Sequence, residues 1–494
     1  MTGIEWFLLV LIIVCGFYMA WNIGANDVAN AMGTSVGSKA LTLKQAVILA
    51  GIFEFLGAYL VGANVSETVR KKIFDPELLT GFYGDQASLV LACGMIAALM
   101  AAGTWLMTAS YFGWPVSTTH TIVGAAVGFG CVSLGFSQVA WAKVSFIAAG
   151  WIVSPLLSAA IAYTLFQVIL RNVFYKKNPV AAAKRIAPPM VFITLVVLIG
   201  VATFKGLKPF WKTQHIDPFE PKVLLITAGV TIVTSMIGMF VTRRLVRHID
   251  DGGDERPNEV LSTHLSRALG KAGMHLRRVR DTAEGTVQEE AVRLLDGLDR
   301  LHGEVRKEIT YGTDSVELRK VERIFAYLQI LTACFVAFSH GSNDVANAIG
   351  PLSAGYQAIT EGKVALTAGV PAWALMLGGV GIITGLATWG WRVIRTVGER
   401  ITELTPSRGF AAEFAAAITI LFASTLPFGL PVSTTHVLVG AVLGVGLARG
   451  FGALNFAVMR DIVASWIITI PAGAGLSVLF YLILKSIIFS LPGA

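Results

Sequence analysis

Twelve long apolar stretches dominate the chain, near 4–22, 44–66, 87–111, 119–136, 141–170, 188–204, 222–243, 324–340, 364–390, 411–426, 433–450 and 461–490. A run of about 20 apolar residues can cross the hydrocarbon of a bilayer as a helix. In lipid the backbone finds no water to bond, so only helices or closed barrels span a membrane. Runs of this length read as helices. The expected fold is therefore an all-α membrane protein of about twelve transmembrane helices. Composition agrees: 14% of the 494 residues are charged, against about 25% in soluble domains. The net charge of +8 reads as basic loops that orient a membrane protein rather than as a surface for nucleic acid. Cys15, Cys93, Cys131 and Cys334 lie in apolar stretches without metal-ligand spacing and read as buried small hydrophobes. The first stretch carries Glu5 and no basic start, so it reads as a mature helix rather than a signal peptide.

One segment departs from this pattern. Residues 244–323 are rich in charge, open on the turn Asp251-Gly252-Gly253-Asp254, and then place Val292, Leu294, Leu295, Leu298 and Leu301 at helical spacing. The expected organisation is a first membrane repeat (1–170), connecting membrane helices (171–243), a soluble helical insert (244–323) and a second membrane repeat (324–494). Arg171, Lys176, Lys177, Lys184 and Arg185, together with the many Lys and Arg residues of the insert, point to the cytoplasmic side. Counting spans from there puts both termini outside. Arg70-Lys71-Lys72 and the group Lys205, Lys208, Lys212 and Lys222 disagree with this orientation.

The chain also repeats itself. Gly24-Ala-Asn-Asp-Val-Ala-Asn-Ala31 recurs as Gly341-Ser-Asn-Asp-Val-Ala-Asn-Ala348, and Gly113-Trp-Pro-Val-Ser-Thr-Thr-His120 as Gly429-Leu-Pro-Val-Ser-Thr-Thr-His436. Both matches keep their order and almost the same offset, which is the signature of duplication. By the span count, the first copy enters from outside and the second from inside. Inverted repeats with re-entrant or broken helices are a secondary-transporter architecture, with the site at the repeat interface.

Each motif suggests a chemistry. Asp27 and Asp344 are costly in a membrane span. Each stands beside two carboxamides, Asn26 and Asn30 in one copy, Asn343 and Asn347 in the other. Carboxylate and amide oxygens are hard ligands that suit a small hard cation, or a proton. Polar bonding between helices is the plainer alternative. Gly24, Gly33 and Gly37, with Gly341, Gly350 and Pro351 in the second copy, favour a broken helix that frees carbonyls for a cation. Ser117, Thr118 and Thr119, and likewise Ser433, Thr434 and Thr435, follow a proline and precede an apolar run, as at a helix start. Such a start offers unpaired amides and a positive dipole end, hence an anion cradle. Ordinary capping by Ser or Thr is the plainer alternative here. An oxyanion beside two aspartates needs bound cations, because neither motif carries Lys or Arg. Each ligand then raises the affinity of the other. Glu54 and Glu413 are further acids in apolar runs, and His120, His340 and His436 are candidate proton carriers. No nucleotide loop, metal-ligand cluster or nucleophile–base motif points to an enzyme.

The duplicated blocks, with Gly33-Thr-Ser-Val-Gly-Ser38 and Val65-Ser-Glu-Thr68, resemble the inorganic phosphate transporter (PiT) family over nearly all the membrane region. The resemblance implies a twelve-span inverted-repeat carrier in the cell membrane that imports inorganic phosphate with a cation and needs no other cofactor. It matches Asn26, Asp27, Asn30, Asn343, Asp344 and Asn347 to the family's cation and phosphate motifs. Ser117, Thr118, Thr119, Ser433, Thr434 and Thr435 match its hydroxyl motif. Among these, Asp27, Asn30, Asp344 and Asn347 are expected to hold sodium, and Asn26, Asn343 and the six hydroxyls phosphate. Glu54 and Glu413 resemble acids that matter for coupling. Asn26-Asp27-Val28 is similar to the sodium-coupled members, whereas the proton-coupled branch has His-Asp-Thr. A proton-coupled phosphate carrier or a sulfate permease of the same fold is the alternative. Members are often homodimers, and membrane lipid is the remaining expected partner.

Overall fold

The computed structural model describes residues 2–70, 75–201, 220–249, 258–312, 316–362, 364, 369–425 and 432–490. Lys71, Lys72, Lys205, Lys208, Lys212, the Asp251–Asp254 turn and the Gly429-Leu430-Pro431 start of the second hydroxyl motif lie outside these residues, as do the side chains of Val65–Thr68.

Among the described residues there is no strand. The first repeat holds α1 (Gly3–Asp27), α2 (Ala29–Gly37), α3 (Leu43–Arg70), α4 (Leu78–Tyr83), α5 (Ala87–Phe112), α6 (Thr118–Leu134) and α7 (Trp141–Ile169). Then come α8 (Pro179–Val201), α9 (Pro221–Arg247), α10 (Asn258–Thr282) and α11 (Thr286–Gly312). The second repeat follows with α12 (Val316–Glu361), α13 (Ala372–Trp389), α14 (Trp391–Arg395), α15 (Pro406–Thr425), α16 (Thr434–Arg449) and α17 (Phe456–Ile488). Thr2 and Glu5 open the first helix with a capping box, the Thr2 amide donating 2.7 Å to Glu5 Oε2. The same helix buries Leu8, Ile12, Cys15 and Met19 and leaves Trp6, Phe7, Val10 and Val14 exposed, the arrangement of a helix with one face in the protein and one in lipid.

Nine helical segments among the described residues are long and apolar enough to span a membrane, rather than twelve. Of the three expected spans outside these nine, 119–136 and 433–450 are the shorter α6 and α16, and 411–426 lies in α15. The shortness of α6 and α16 has a physical cause. Each begins at its Ser-Thr-Thr motif, so its first turn starts at the break instead of running on from a preceding helix. Gly113 ends α5 in the left-handed conformation (φ 70°), which glycine adopts without a steric penalty.

The chain forms two compact units. One comprises residues 1–166, 193–235 and 326–494, and the other 167–192 and 236–325. In the second, α10 and α11 form a helical hairpin whose turn requires Gly285 at φ 68°. Leu269, Ala291 and Leu295 are buried in this unit.

In the first unit the repeats interlock. Gly24 on α1 lies so close to α13 that a β-carbon would strike the Ile382 carbonyl oxygen, and its repeat mate Gly341 on α12 meets the Glu54 carbonyl oxygen of α3 in the same way. Gly57 meets the Phe338 oxygen, and Gly385 the Trp21 oxygen. Each repeat thus presses its first helix onto the second spanning helix of the other, and the reciprocity defines a pseudo-twofold axis. It also aligns the repeats: Ile382 is the mate of Glu54, and Ile23 the mate of His340.

These glycines serve close packing, not the helix breakage expected of them. Between α1 and α2 only Val28 interrupts the helix, with φ −63° and ψ −21°, and α12 runs unbroken through Asp344 and Pro351. The breaks fall instead before the hydroxyl motifs.

Candidate functional site

Ser117 and Ser433 stand at the starts of α6 and α16 with extended backbones. Their Oγ atoms accept from the His120 and His436 amides at 3.3 and 3.2 Å. The serines therefore cap, as the plainer alternative held. Capping satisfies only one orphan donor of a helix start, so other first-turn amides and the neighbouring threonine hydroxyls are left for a ligand. Asn26, expected to contact phosphate, holds the loop into α6 instead. Its Nδ2 donates to Ser110 Oγ (3.1 Å) and to the Trp114 carbonyl (3.0 Å), and its Oδ1 accepts from the Val116 amide (3.1 Å).

The hydroxyl motifs meet the aspartate motifs crosswise. Thr435 Oγ1 lies 3.2 Å from Asp27 Oδ1 and accepts from Asn30 Nδ2 at 2.8 Å. In the mirrored contact, Asn347 Nδ2 donates to Thr119 Oγ1 at 3.5 Å. Thr434 Oγ1 donates to Asp344 Oδ2 at 3.2 Å within its own repeat. Asn343, half-buried, has its Nδ2 3.5 Å from Asp344 Oδ1. Thr118 is buried in the first turn of α6.

Two carboxylates converge here. Ligand atoms of Asp27, His340 and Asp344 all lie within 4.8 Å of one another, and all three residues are buried. Two unit charges at such a distance repel by about 3 kcal/mol at an effective dielectric near 20. A cation or a proton must offset that repulsion. Asp27 Oδ2 and Asn30 Oδ1 are buried without a hydrogen-bond partner among the described residues. Buried polar atoms rarely stay unpaired, and these are two hard oxygens, one of them on a carboxylate of the pair.

The two sides of the axis differ. His340 Nδ1 lies 2.9 Å from Glu54 Oε1, and its Nε2 is 2.6 Å from Asp344 Oδ2 in an ion contact too poorly aligned for a hydrogen bond. On the side of Asp27 the mates of this pair are the apolar Ile382 and Ile23. Glu413 lies in a separate cluster. Its Oε1 accepts from Thr34 Oγ1 (2.5 Å), Ser35 Oγ (2.8 Å) and Gln329 Nε2 (3.3 Å), and its Oε2 from Thr332 Oγ1. At the matching places in the other half stand Ala97, Pro351, Leu352, Ile12 and Cys15. Sequence reasoning missed Thr34, Ser35, Gln329 and Thr332, because no repeat marks them. A comparison of aligned halves finds them as polar residues opposite apolar ones.

The sequence pattern described as the phosphate transporter family matches residues 23–477. The chain belongs to that family. A candidate phosphate permease of Chlamydia trachomatis serovar D is 43% identical over 486 residues, covering 98% of this chain and 99% of that protein. Inorganic phosphate transporter 2-1, chloroplastic, of Arabidopsis thaliana is 42% identical over 475 residues, covering 96% of this chain and 71% of that protein. A solved structure described as the sodium-dependent phosphate transporter superposes with a TM-score of 0.73 at 36% identity, covering 97% of this chain and 99% of that one. This family member is thus an integral membrane phosphate transporter, not an enzyme, and the similarity spans both repeats.

Proposed function

We propose that this phosphate transporter couples phosphate uptake to sodium. The observation that carries the reading is the convergence of Asp27 and Asp344, with Asp27 Oδ2 and Asn30 Oδ1 left unpartnered beside them. Asp27, Asn30, Asp344 and Asn347 hold sodium as cargo. Thr118, Thr119, Thr434 and Thr435, with the first-turn amides of α6 and α16, hold phosphate between the two helix starts. Ser117 and Ser433 cap those starts, Asn26 shapes the loop, and Asn343 lies at the edge of the anion site. The sodium dependence named for the similar solved structure supports the same reading. Sodium neutralises the aspartates before the anion arrives, so each ligand strengthens the other. Glu54 joins the coupling through His340.

The His340 contacts favour one second reading. His340 lies between two carboxylates, 2.9 Å from Glu54 Oε1 and 2.6 Å from Asp344 Oδ2, and this gives proton coupling a structural foothold. Radiolabelled phosphate uptake into proteoliposomes separates the two, with sodium and pH gradients imposed in turn and sulfate as competitor. A sodium gradient at constant pH is expected to drive uptake that sulfate does not suppress. Equal uptake with potassium in place of sodium sinks sodium coupling.

The proposed orientation puts the 244–323 insert in the cytoplasm and both termini outside. The charged α10–α11 hairpin contributes none of the residues assigned to either ligand. Replacing residues 250–318 with a flexible linker is expected to leave uptake per inserted molecule within about twofold. A linker variant that reaches the membrane and does not transport contradicts this.

A further inference from the structure

His120 and His436 are repeat mates at matching places in the first turns of α6 and α16. Their rings meet edge to face, with centroids 4.3 Å apart at 82°. A contact between two mates of a twofold pair lies on the axis, so this one marks where the halves touch. Each ring is backed by a tryptophan that is itself duplicated. His120 packs on Trp151 of α7 and His436 on Trp466 of α17, both at 3.6 Å between centroids. Both histidines are almost fully buried, 1% and 4% exposed. Their Nε2 atoms have no hydrogen-bond partner among the described residues, so bonds from that atom do not account for the pair.

Two further bonds tie the pair across the axis. His436 Nδ1 lies 3.3 Å from the Trp151 carbonyl, and Trp466 Nε1 donates 2.9 Å to the Pro115 carbonyl of the loop entering α6. Four rings in contact therefore form a continuous spacer from α7 to α17. The two helix starts are fixed to its middle, with Thr119 and Thr435 one residue before the histidines. The separation of these starts decides whether a single tetrahedral oxyanion can accept bonds from both.

We propose that His120 and His436 are positioning residues for phosphate. Their contact on the axis sets the spacing of the two hydroxyl-bearing helix starts. This rests on the assignment of those starts to phosphate. The test uses the full-length protein in proteoliposomes, with uptake normalised to inserted protein. His120→Ala and His436→Ala are each expected to raise the phosphate KM by roughly two- to tenfold, the value of one edge-to-face ring contact. The sodium KM stays within about twofold of the parent at saturating phosphate. The double variant is impaired by less than the product of the two single effects, because either change already removes the shared contact. His120→Phe and His436→Phe keep the ring contact and restore the phosphate KM, which also guards against alanine variants that do not fold. Additive losses in the double variant, a fall confined to the maximal rate, or phenylalanine variants as impaired as alanine ones overturn the proposal. Thr119→Val, measured alongside, separates the two readings. An unchanged phosphate KM there removes the helix-start assignment and the proposal with it. A raised KM there with histidine variants like the parent removes the positioning role alone.

Discussion

Asp27→Asn and Asp344→Asn are each expected to abolish phosphate uptake or slow it by two orders of magnitude or more. The amide preserves the shape and one acceptor oxygen, so packing around α1 and α12 survives. What disappears is the negative charge that the proposed function assigns to holding a cation. Asp27 has a particular reason to be sensitive: its Oδ1 already faces Thr435, and its Oδ2 has no protein partner among the described residues. Loss of a charge that a bound ion neutralises is worth several kcal/mol where the surroundings are desolvated, and each 1.4 kcal/mol is about tenfold in affinity. Asp344→Asn also strips His340 of one of its two carboxylates, so its effect extends to the Glu54 pair. Uptake normalised to protein in the membrane checks both variants. Near-parental rates in either one contradict the cation assignment.

Glu413→Leu is expected to lower thermal stability in detergent more than any neighbouring apolar substitution in α15. Four donors on Thr34, Ser35, Gln329 and Thr332 converge on this carboxylate, and leucine satisfies none of them. A stranded buried polar group costs about 1–3 kcal/mol. Hydroxyls that turn to a carbonyl of the preceding helical turn recover part of this. Glu413→Gln should be far milder, because its oxygen still accepts from Thr34 and Ser35 and its amide faces the Thr332 hydroxyl. Melting curves of the purified variants check this ordering. Equal melting of the Leu and Gln variants contradicts it.

The unequal legibility of the site follows from what repeats. Asp27 and Asp344, and the two Ser-Thr-Thr clusters, stand out because each occurs twice, and the duplication also gives the architecture. The crosswise pairing was not legible. Thr435 meets Asp27 across roughly 400 residues of chain, and nothing local to either residue encodes that encounter. His340 was visible as a histidine in an apolar run, but its position between Glu54 and Asp344 depends on how α3 lies against α12. Asn26 and Asn30 look alike in the motif, yet one shapes a loop and the other faces the candidate cation site. Their neighbours decide this: Asn26 meets Ser110, Trp114 and Val116, and Asn30 meets Thr435. The glycines were misread for a related reason: sequence shows that a side chain is missing, not whether a bend or another backbone fills the space. Gly24 and Gly341 admit a neighbouring carbonyl. The tryptophans behind the axial histidines are duplicated and so were accessible to a closer alignment of the halves.

Equilibrium binding of radioactive sodium to the purified protein without phosphate tests the central claim most directly, since it separates the cation site from the anion site. The parent and Thr118→Val should bind sodium alike, because the proposed function assigns the Thr118 hydroxyl to the anion site. Asp27→Asn and Asp344→Asn should lose that binding. If the aspartate variants bind sodium like the parent while Thr118→Val does not, the two sites have been assigned the wrong way round.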